Sequence, residues 1–270
     1  HSEIVRKLLK QDQRYDLLSG NAGAAWSFLL LYGSTGNAMF LQAGEEAIQI
    51  LLKSAEEQVQ GIGWRIQKEI PPMSGLAHGN SGILIPILAL SKYTGRTMYE
   101  EIADKIWDYE NSLYDPAINN WKDTREQGKV VSSNPIGSVA WCHGAAGVLY
   151  SRILCYEFVE DKKWKNRLEL DIKRAYKKLK EYWKRDSDCL CHGNCGNFWI
   201  LEITQEKMKE YGIPVKRDRD VELPKDELEE QIVHLLPQEQ INFGFMNGYG
   251  GILYKCLQDI HATESHIELI

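Results

Sequence analysis

The sequence predicts an all-α fold, an α/α toroid in which inner helices ring a central axis and outer helices wrap around them. Two patterns in the 270 residues predict this fold. A Gly-x-x-Gly unit followed by an apolar run recurs five times, and amphipathic stretches lie between these units. A third observation argues against a sheet, because no segment shows the clear alternation of apolar and polar residues that marks a strand.

The five Gly-x-x-Gly units define the predicted inner helices. The run after each unit is apolar nearly all round, and a helix with no polar face is buried on all sides. Glycine at these helix starts lets the turn adopt a positive φ and lets backbones approach closely near the axis. In the first and last units we interpret the glycines as packing and turn devices, whereas the middle three units carry His or Cys just before the first glycine. The units begin at Gly20, Gly79, Gly144, Gly193 and Gly248.

The amphipathic stretches define the predicted outer helices. Their apolar side chains recur at i, i+3 and i+4, with Glu and Lys on the opposite face. These stretches are residues 42–58, 99–113 and 164–183. Three further segments are rich in Pro, Gly, Asn and charge and are predicted loops, namely residues 61–74, 114–140 and 211–224.

Composition excludes several classes of protein. Hydrophobic residues make up 43%, charged residues 26%, and the formal net charge is −6, as in an ordinary globular protein. Lysines alternate with acidic and aromatic residues, as on the wet face of a helix, so no nucleic-acid surface is expected. No window of about 18 apolar residues exists, so we expect no membrane span. Residues 1–10 lack a signal-peptide core, and we expect a cytoplasmic location.

Four of the six cysteines lie in or near His-Gly motifs. The clustering of Cys142, Cys189, Cys191 and Cys195 favours metal-binding or catalytic thiols in a reducing compartment over a disulfide scaffold. The other two lie in apolar helical stretches and are predicted core thiols, Cys155 and Cys256.

Three segments carry the candidate chemistry at the same point of the repeat: residues 75–79 (GLAHG), 141–144 (WCHG) and 189–193 (CLCHG). In a toroid, equivalent points converge at one end of the axis, so their His and Cys side chains should share one neighbourhood. Zinc is the metal that two thiolates and an imidazole suit best. A lone His at a helix start is usually a cap or a core residue, but two Cys-His-Gly copies at equivalent positions favour a metal site.

The spacing alone leaves the ligand set open. Three protein ligands with an open fourth position are the pattern of catalytic zinc, whereas four protein ligands form a closed structural site. A closed set of Cys142, His143, Cys191 and His192 also fits the spacing, and the two other cysteines near the third motif could compete as ligands.

Five segments resemble the lanthionine synthetase C-like family, the cyclases of lanthipeptide biosynthesis. They are YDLLSGNAG (15–23), GLAHGNSG (75–82), WCHGAAG (141–147), LCHGNCGN (190–197) and NGYGG (247–251). The WCHG and LCHGN motifs resemble the cyclase domain of the bifunctional class II synthetases more than the free-standing cyclases. The resemblance runs from about Tyr15 to the last unit, so it covers nearly the whole chain.

The resemblance implies an activity and a substrate. The expected activity is that of a zinc-dependent cyclase, which adds peptide cysteine thiolates to dehydroalanine or dehydrobutyrine and so forms (methyl)lanthionine thioether rings. The expected substrate is a dehydrated precursor peptide with its leader. Two other readings of the same residues are the addition of glutathione to dehydrated residues and a non-catalytic, peptide-binding toroid with structural zinc.

The resemblance also implies roles for single residues. Each role is implied by the position of the residue in the family's motif: Asp16 lies four residues before Gly20, and His78 lies directly before Gly79. His143 is then a residue that lines the site. The implied acid–base pair is His78 and Asp16, and the implied zinc ligands are Cys142, Cys191 and His192.

Two features depart from the family's pattern. Free-standing cyclases carry an arginine four residues before the first zinc cysteine, where this chain has Ser138. The family has seven inner-helix repeats, and five are visible here. We therefore expect residues 1–270 to be a cyclase domain from the C-terminal part of a longer chain, preceded by the missing repeats or by a dehydratase region. We also expect apolar side chains to be exposed on the terminal inner helices of such an open toroid.

Overall fold

The structure, a computed structural model, describes residues 14–126, 136–214 and 242–260 together with residues 7, 9 and 10. Within these ranges the side chains of residues 256 and 258–260 are not described. The prediction for Cys256 and parts of the second and third predicted loops therefore lie outside the described residues. None of the described helices is both long and apolar enough to cross a membrane.

Five helices begin directly after the first glycine of a unit, so the predicted inner helices are confirmed. Two of them are buried along their whole apolar run, from Asn80 to Ser91 and from Ala145 to Tyr156. The inner helices are α1 (Asn21–Thr35), α3 (Asn80–Thr94), α5 (Ala145–Tyr156), α7 (Asn194–Glu210) and α8 (Tyr249–Ile260).

Three helices lie between the inner helices, as the amphipathic stretches predict. They are α2 (Ala38–Leu52), α4 (Thr97–Ser112) and α6 (Lys162–Tyr182). Side-chain caps set two of the starts, because Asn37 accepts from the N–H of Met39 and Asp161 accepts from the N–H of Trp164. The predicted end of α2 at residue 58 is wrong, since a strand begins at Glu56.

Two small hairpins were not predicted. Strand β1 (Glu56–Glu57) pairs antiparallel with β2 (Ile62–Gly63), and β3 (Tyr114–Asp115) pairs antiparallel with β4 (Asn120–Trp121). Two residues are too few to show an alternating pattern. The hairpins lie within or beside the predicted loops, and the all-α fold class is unaffected.

A ladder of backbone hydrogen bonds joins the five turns that precede the inner helices. Each partner is the second residue before the first glycine of its unit. The N–H of Leu18 donates to the carbonyl of Ala77 at 3.2 Å, and the N–H of Ala77 donates to the carbonyl of Cys142 at 3.2 Å. The N–H of Cys142 donates to the carbonyl of Cys191 at 3.3 Å, and the N–H of Cys191 donates to the carbonyl of Met246 at 2.9 Å. Equivalent positions of successive units are therefore in direct contact at one end of the axis, which is the convergence that the repeat predicts.

The second glycine of each unit allows its inner helix to pack closely against a neighbouring turn. A Cβ on Gly82 would lie 2.0 Å from the carbonyl oxygen of Leu76 and 2.8 Å from the Cβ of Leu17 in the preceding unit. Gly147 meets the Cβ of Leu76 in the same way, at 3.1 Å. The predicted close approach is confirmed, but among the described first glycines only Gly144 has the predicted positive φ, 71°.

The first and last of the described inner helices each expose a large apolar side chain. Leu31 on α1 is 43% exposed and Leu257 on α8 is 54% exposed. By contrast, Leu84 on α3 and Leu149 on α5 are fully buried.

Candidate active site

The two thiols predicted to bind zinc are neighbours on the ladder. Cys142 donates its N–H to the carbonyl of Cys191 at 3.3 Å, and each thiol shifts the pKa of the other. His192 is the next residue in the chain, and its side chain also lowers the pKa of Cys191. Both cysteines are half-buried and His192 is exposed, so a small molecule or peptide can reach the group from solvent.

The contact between the thiols separates their acidities. Interaction with the Cys142 thiol lowers the pKa of Cys191 to about 6 despite burial, and His192 contributes in the same direction. The same interaction, together with burial, raises the pKa of Cys142. One thiolate is thus held beside one thiol, and a cation bound between them would favour deprotonation of both.

Asp16 and His78 form the second part of the site. Oδ2 of Asp16 lies 3.0 Å from Nδ1 of His78, and the N–H of Ser19 donates to Oδ1 of Asp16 at 2.6 Å. Burial opposes ionisation of Asp16, but the hydrogen bonds from His78 and Ser19 outweigh it and lower the pKa of this carboxyl. Since an ionised carboxylate only accepts, Nδ1 of His78 donates, and Nε2 is left to exchange a proton.

The side chain of Asp16 is buried, at 7% exposure, whereas that of His78 is 32% exposed. A buried acceptor that holds a partly open imidazole is the arrangement of a general acid or base with its orienting partner.

His143 lies beside the site in a polar environment. Its ring centroid is 6.0 Å from that of His78, and it lines a small cavity with Ser74, Asp123 and Ser138. Burial, and after it the positive charge of Arg125, lowers the pKa of His143 to about 4. The ring is therefore neutral at physiological pH, which suits a residue that lines the site.

The remaining described cysteines are more deeply buried. Cys195 packs against Leu190, Trp199 and Ile252 in an apolar cluster, and Cys189 is 5% exposed. Cys155 is fully buried on α5, where burial raises its pKa to about 12, so the predicted core thiol is confirmed. Cys142, Cys191 and His192 are thus the more accessible donors of the cluster.

Sequence reasoning missed an ion pair next to Ser138. Nε of Arg125 donates to Asp123 at 2.8 Å, and the Ser138 hydroxyl donates to the same carboxylate at 3.3 Å. Arg125 belongs to a 3₁₀ helix, Thr124–Glu126, within a predicted loop. A guanidinium therefore stands close to the position where free-standing cyclases carry arginine, but it comes from another part of the chain. Asp123 and Arg125 are two residues apart, but Ser138 lies 15 residues from Asp123, so no local pattern places the ion pair beside Ser138.

The donors fit zinc in type, although they do not form a closed cage. Among residues 14–126, 136–214 and 242–260, no three His, Cys, Asp or Glu side chains are arranged closely enough to hold a metal ion. Cys142, Cys191 and His192 nevertheless offer two sulfur donors and one nitrogen donor on turns that are joined by a backbone hydrogen bond. This is the donor chemistry of a three-ligand zinc site.

The fold and the site define a class of protein: an α/α toroid with a Cys–Cys–His group and an Asp–His pair at one end of its axis. The family model for lanthionine synthetase C-like proteins matches residues 1–269, and the chain belongs to this family. The chain is 28% identical over 254 residues to a lacticin 481/lactococcin biosynthesis protein, LcnDR2, of Lactococcus lactis subsp. lactis. That match covers 91% of this chain, which spans only 25% of the length of that relative.

Solved structures support the fold. The structure resembles nisin cyclase with a TM-score of 0.60 and 18% identity, over 97% of this chain and 68% of that chain. It also resembles the cellobiose 2-epimerase of Bacillus thermoamylovorans, with a TM-score of 0.51 and 13% identity over 74% of this chain and 56% of that chain. At these identities the similarity shows the α/α toroid and no more.

Proposed function

We propose that the chain is a zinc-dependent lanthipeptide cyclase domain. Its reaction is the addition of peptide cysteine thiols to dehydroalanine or dehydrobutyrine, which forms (methyl)lanthionine rings. The observation that carries the proposal is the backbone ladder, which joins the turns of Cys142 and of Cys191–His192 to the turn that carries His78 and its partner Asp16. Family membership and the likeness to a lacticin 481 biosynthesis protein support the same reaction.

Zinc is the metal we assign to Cys142, Cys191 and His192. When bound, it would hold an incoming cysteine thiol in its deprotonated, nucleophilic form near neutral pH. The three donors are more exposed than Cys189 and Cys195, which leaves a side of the group open to substrate.

His78 and Asp16 serve the proton transfers in this proposal. A new bond forms between the cysteine sulfur and the β-carbon of the dehydro residue, and the π electrons move onto the α-carbon and its carbonyl oxygen. The thiol proton leaves, and the α-carbon takes up a proton. We assign that proton to Nε2 of His78, because Nδ1 is held by the Asp16 carboxylate at 3.0 Å. The burial of Asp16 supports an orienting role for it.

The proposed cyclase is one domain of a longer synthetase of class II. The chain spans a quarter of the length of LcnDR2, which supports this arrangement. In such a protein a dehydratase region or further repeats would precede residue 1. We expect the reaction to take place in the cytoplasm, where thiols stay reduced.

The test is the cyclisation of a dehydrated peptide that contains cysteine. Cyclisation leaves the mass of the peptide unchanged but removes a thiol that iodoacetamide would otherwise alkylate. We expect thiol loss with the wild-type chain, none with Cys191→Ala, and near wild-type loss with the control Cys195→Ala, whose thiol lies in the apolar cluster. Thiol loss that survives Cys191→Ala would contradict the proposal. Replacing the peptide cysteine by free glutathione distinguishes addition of a soluble thiol from ring formation.

A further inference from the structure

A buried ion network lies behind the turn that carries His78. Nη2 of Arg152 lies 2.5 Å from Oε2 of Glu110, and Nε of Arg152 lies 3.0 Å from Oδ2 of Asp171. The side chains of Arg152 and Glu110 are fully buried, and that of Asp171 is 2% exposed. Burying charges is costly even when they are paired, and hydrophobic replacements often stabilise a protein as well or better. The contribution of this network to stability is therefore not enough to explain its presence.

The second oxygen of Glu110 binds the segment around His78. Oε1 accepts from the N–H of Gly75 at 3.2 Å and from the hydroxyl of Ser81 at 2.5 Å. Gly75 opens the turn and Ser81 lies in the first turn of α3, so His78 lies between them in the chain. One carboxylate thus ties down both ends of the segment that carries the imidazole.

The same segment is pressed against the turn of Cys142. Gly75 has a φ of 104°, and a Cβ there would lie 2.9 Å from both the carbonyl oxygen of Cys142 and the Cα of His143. The N–H of Ala77 donates to the carbonyl of Cys142 at 3.2 Å. Any movement of Gly75 therefore changes how the His78 turn lies on the Cys142 turn.

Arg152 fixes Glu110 from the other side. Its guanidinium is held by Asp171 on α6, and Asp171 also accepts from the indole N–H of Trp107 at 3.1 Å. Ser151, next to Arg152, donates to the backbone carbonyl of Ser81 at 2.6 Å. The network thus links helices α4, α5 and α6 to the start of α3.

We propose that Glu110 is a positioning residue, which sets the place of His78 relative to the thiols of Cys142 and Cys191 by holding Gly75 and Ser81. Asp171 also neutralises the charge of Arg152, but unlike Glu110 it accepts no hydrogen bond from Gly75 or Ser81. The effect of Glu110 on turnover rests on the proposed cyclase function, whereas its effect on the His78 ring does not.

The experiment compares Glu110→Gln with Asp171→Asn. Each substitution removes one negative charge from the same buried guanidinium, but only the first alters the partner of Gly75 and Ser81. The position of His78 is read from its ring signals in NMR spectra of the histidine-labelled chain without substrate, assigned with His78→Gln. The kcat and KM for peptide cyclisation are measured on the same samples.

We expect Glu110→Gln to shift the His78 signals and to lower kcat by about 10- to 100-fold with little change in KM, because misplacement of a reacting group by about 1 Å has effects of this size. Asp171→Asn should leave the His78 signals in place and kcat within about threefold of wild type. Unchanged His78 signals in Glu110→Gln would overturn the proposal, and so would equal effects of the two variants.

Two arrangements keep the test decisive. If Glu110→Gln does not fold, Ser81→Ala removes one bond to Glu110 and leaves the ion network intact, and it should shift the His78 signals in the same direction. If the wild-type chain does not cyclise peptides, the proposed function fails, and the NMR comparison still decides whether Glu110 positions His78.

Discussion

Replacing Asp16 with Asn tests whether Asp16 and His78 act as one acid–base unit. The Asp16 carboxylate accepts from Nδ1 of His78 at 3.0 Å and from the N–H of Ser19 at 2.6 Å. An asparagine keeps the shape, and its oxygen can still accept from Ser19, but its amide nitrogen then faces His78. Because that nitrogen only donates, Nδ1 must accept, and the neutral ring then carries its hydrogen on Nε2. The tautomer needed for proton exchange at Nε2 is reversed.

The expected loss follows from the hydrogen bond that is removed. A hydrogen bond to a charged group contributes about 1.5–3 kcal/mol, which corresponds to about 10- to 150-fold in rate. Asp16 is buried, but the His78 side chain is 32% exposed, so solvent replaces part of the interaction. We therefore expect kcat to fall by about 10- to 50-fold.

Single-turnover cyclisation is the assay, followed as loss of alkylatable thiol, with bound zinc measured in parallel. The control is Ser19→Ala, which removes a hydroxyl that donates to Asp16 at 3.1 Å but leaves the contact with His78 intact. It should change kcat by less than about threefold. The reasoning is refuted if Asp16→Asn keeps the wild-type rate, or if Ser19→Ala loses as much as Asp16→Asn does.

Two further predictions concern stability. Gly82→Ala places a Cβ 2.0 Å from the carbonyl oxygen of Leu76, and should lower the free energy of unfolding in urea by about 2–4 kcal/mol. The control Gly36→Ala meets nothing within 4 Å and should cost only about 1–2 kcal/mol for its positive φ; equal losses would contradict the packing argument. Burial opposes ionisation of Asp123, but Arg125 outweighs burial and lowers the pKa of this carboxyl. The ionised carboxylate therefore stabilises the fold above the pKa that Asp123 has in the unfolded chain, and this stabilisation is lost as the pH falls through its lower pKa in the folded chain. Asp123→Asn should therefore be less stable than wild type at pH 7, with the difference closing below about pH 4, whereas a pH-independent difference in chemical unfolding would show that this charge is not involved.

The repeat made much of the fold predictable from the sequence. Each inner helix is encoded locally, because a glycine pair is followed at once by a run with no polar face, as in residues 82–91 and 147–156. Helix ends were less predictable, since α2 stops six residues early where β1 begins. The pairing of β1 with β2 depends on the turn at Gly61, whose φ is 73°.

The candidate site was predictable where it follows the repeat. Cys142 and Cys191 occupy equivalent positions, so their contact follows from the symmetry of the units. The hydrogen bond from Ser138 to Asp123 spans 15 residues of sequence and does not follow the repeat, and neither does the bond from Gly75 to Glu110, which spans 35 residues. Such contacts are set by tertiary packing and leave no periodic signal.

The most direct test of the account is X-ray absorption at the zinc edge, on the wild-type chain and on Cys191→Ala, each with and without a cysteine-containing peptide. We expect stoichiometric zinc with two sulfur ligands, from Cys142 and Cys191, and a third sulfur when the peptide thiol binds. Cys191→Ala should lose the metal. A chain without zinc would contradict the central claim, and so would a four-ligand zinc site whose sulfur count does not change when the peptide thiol is added.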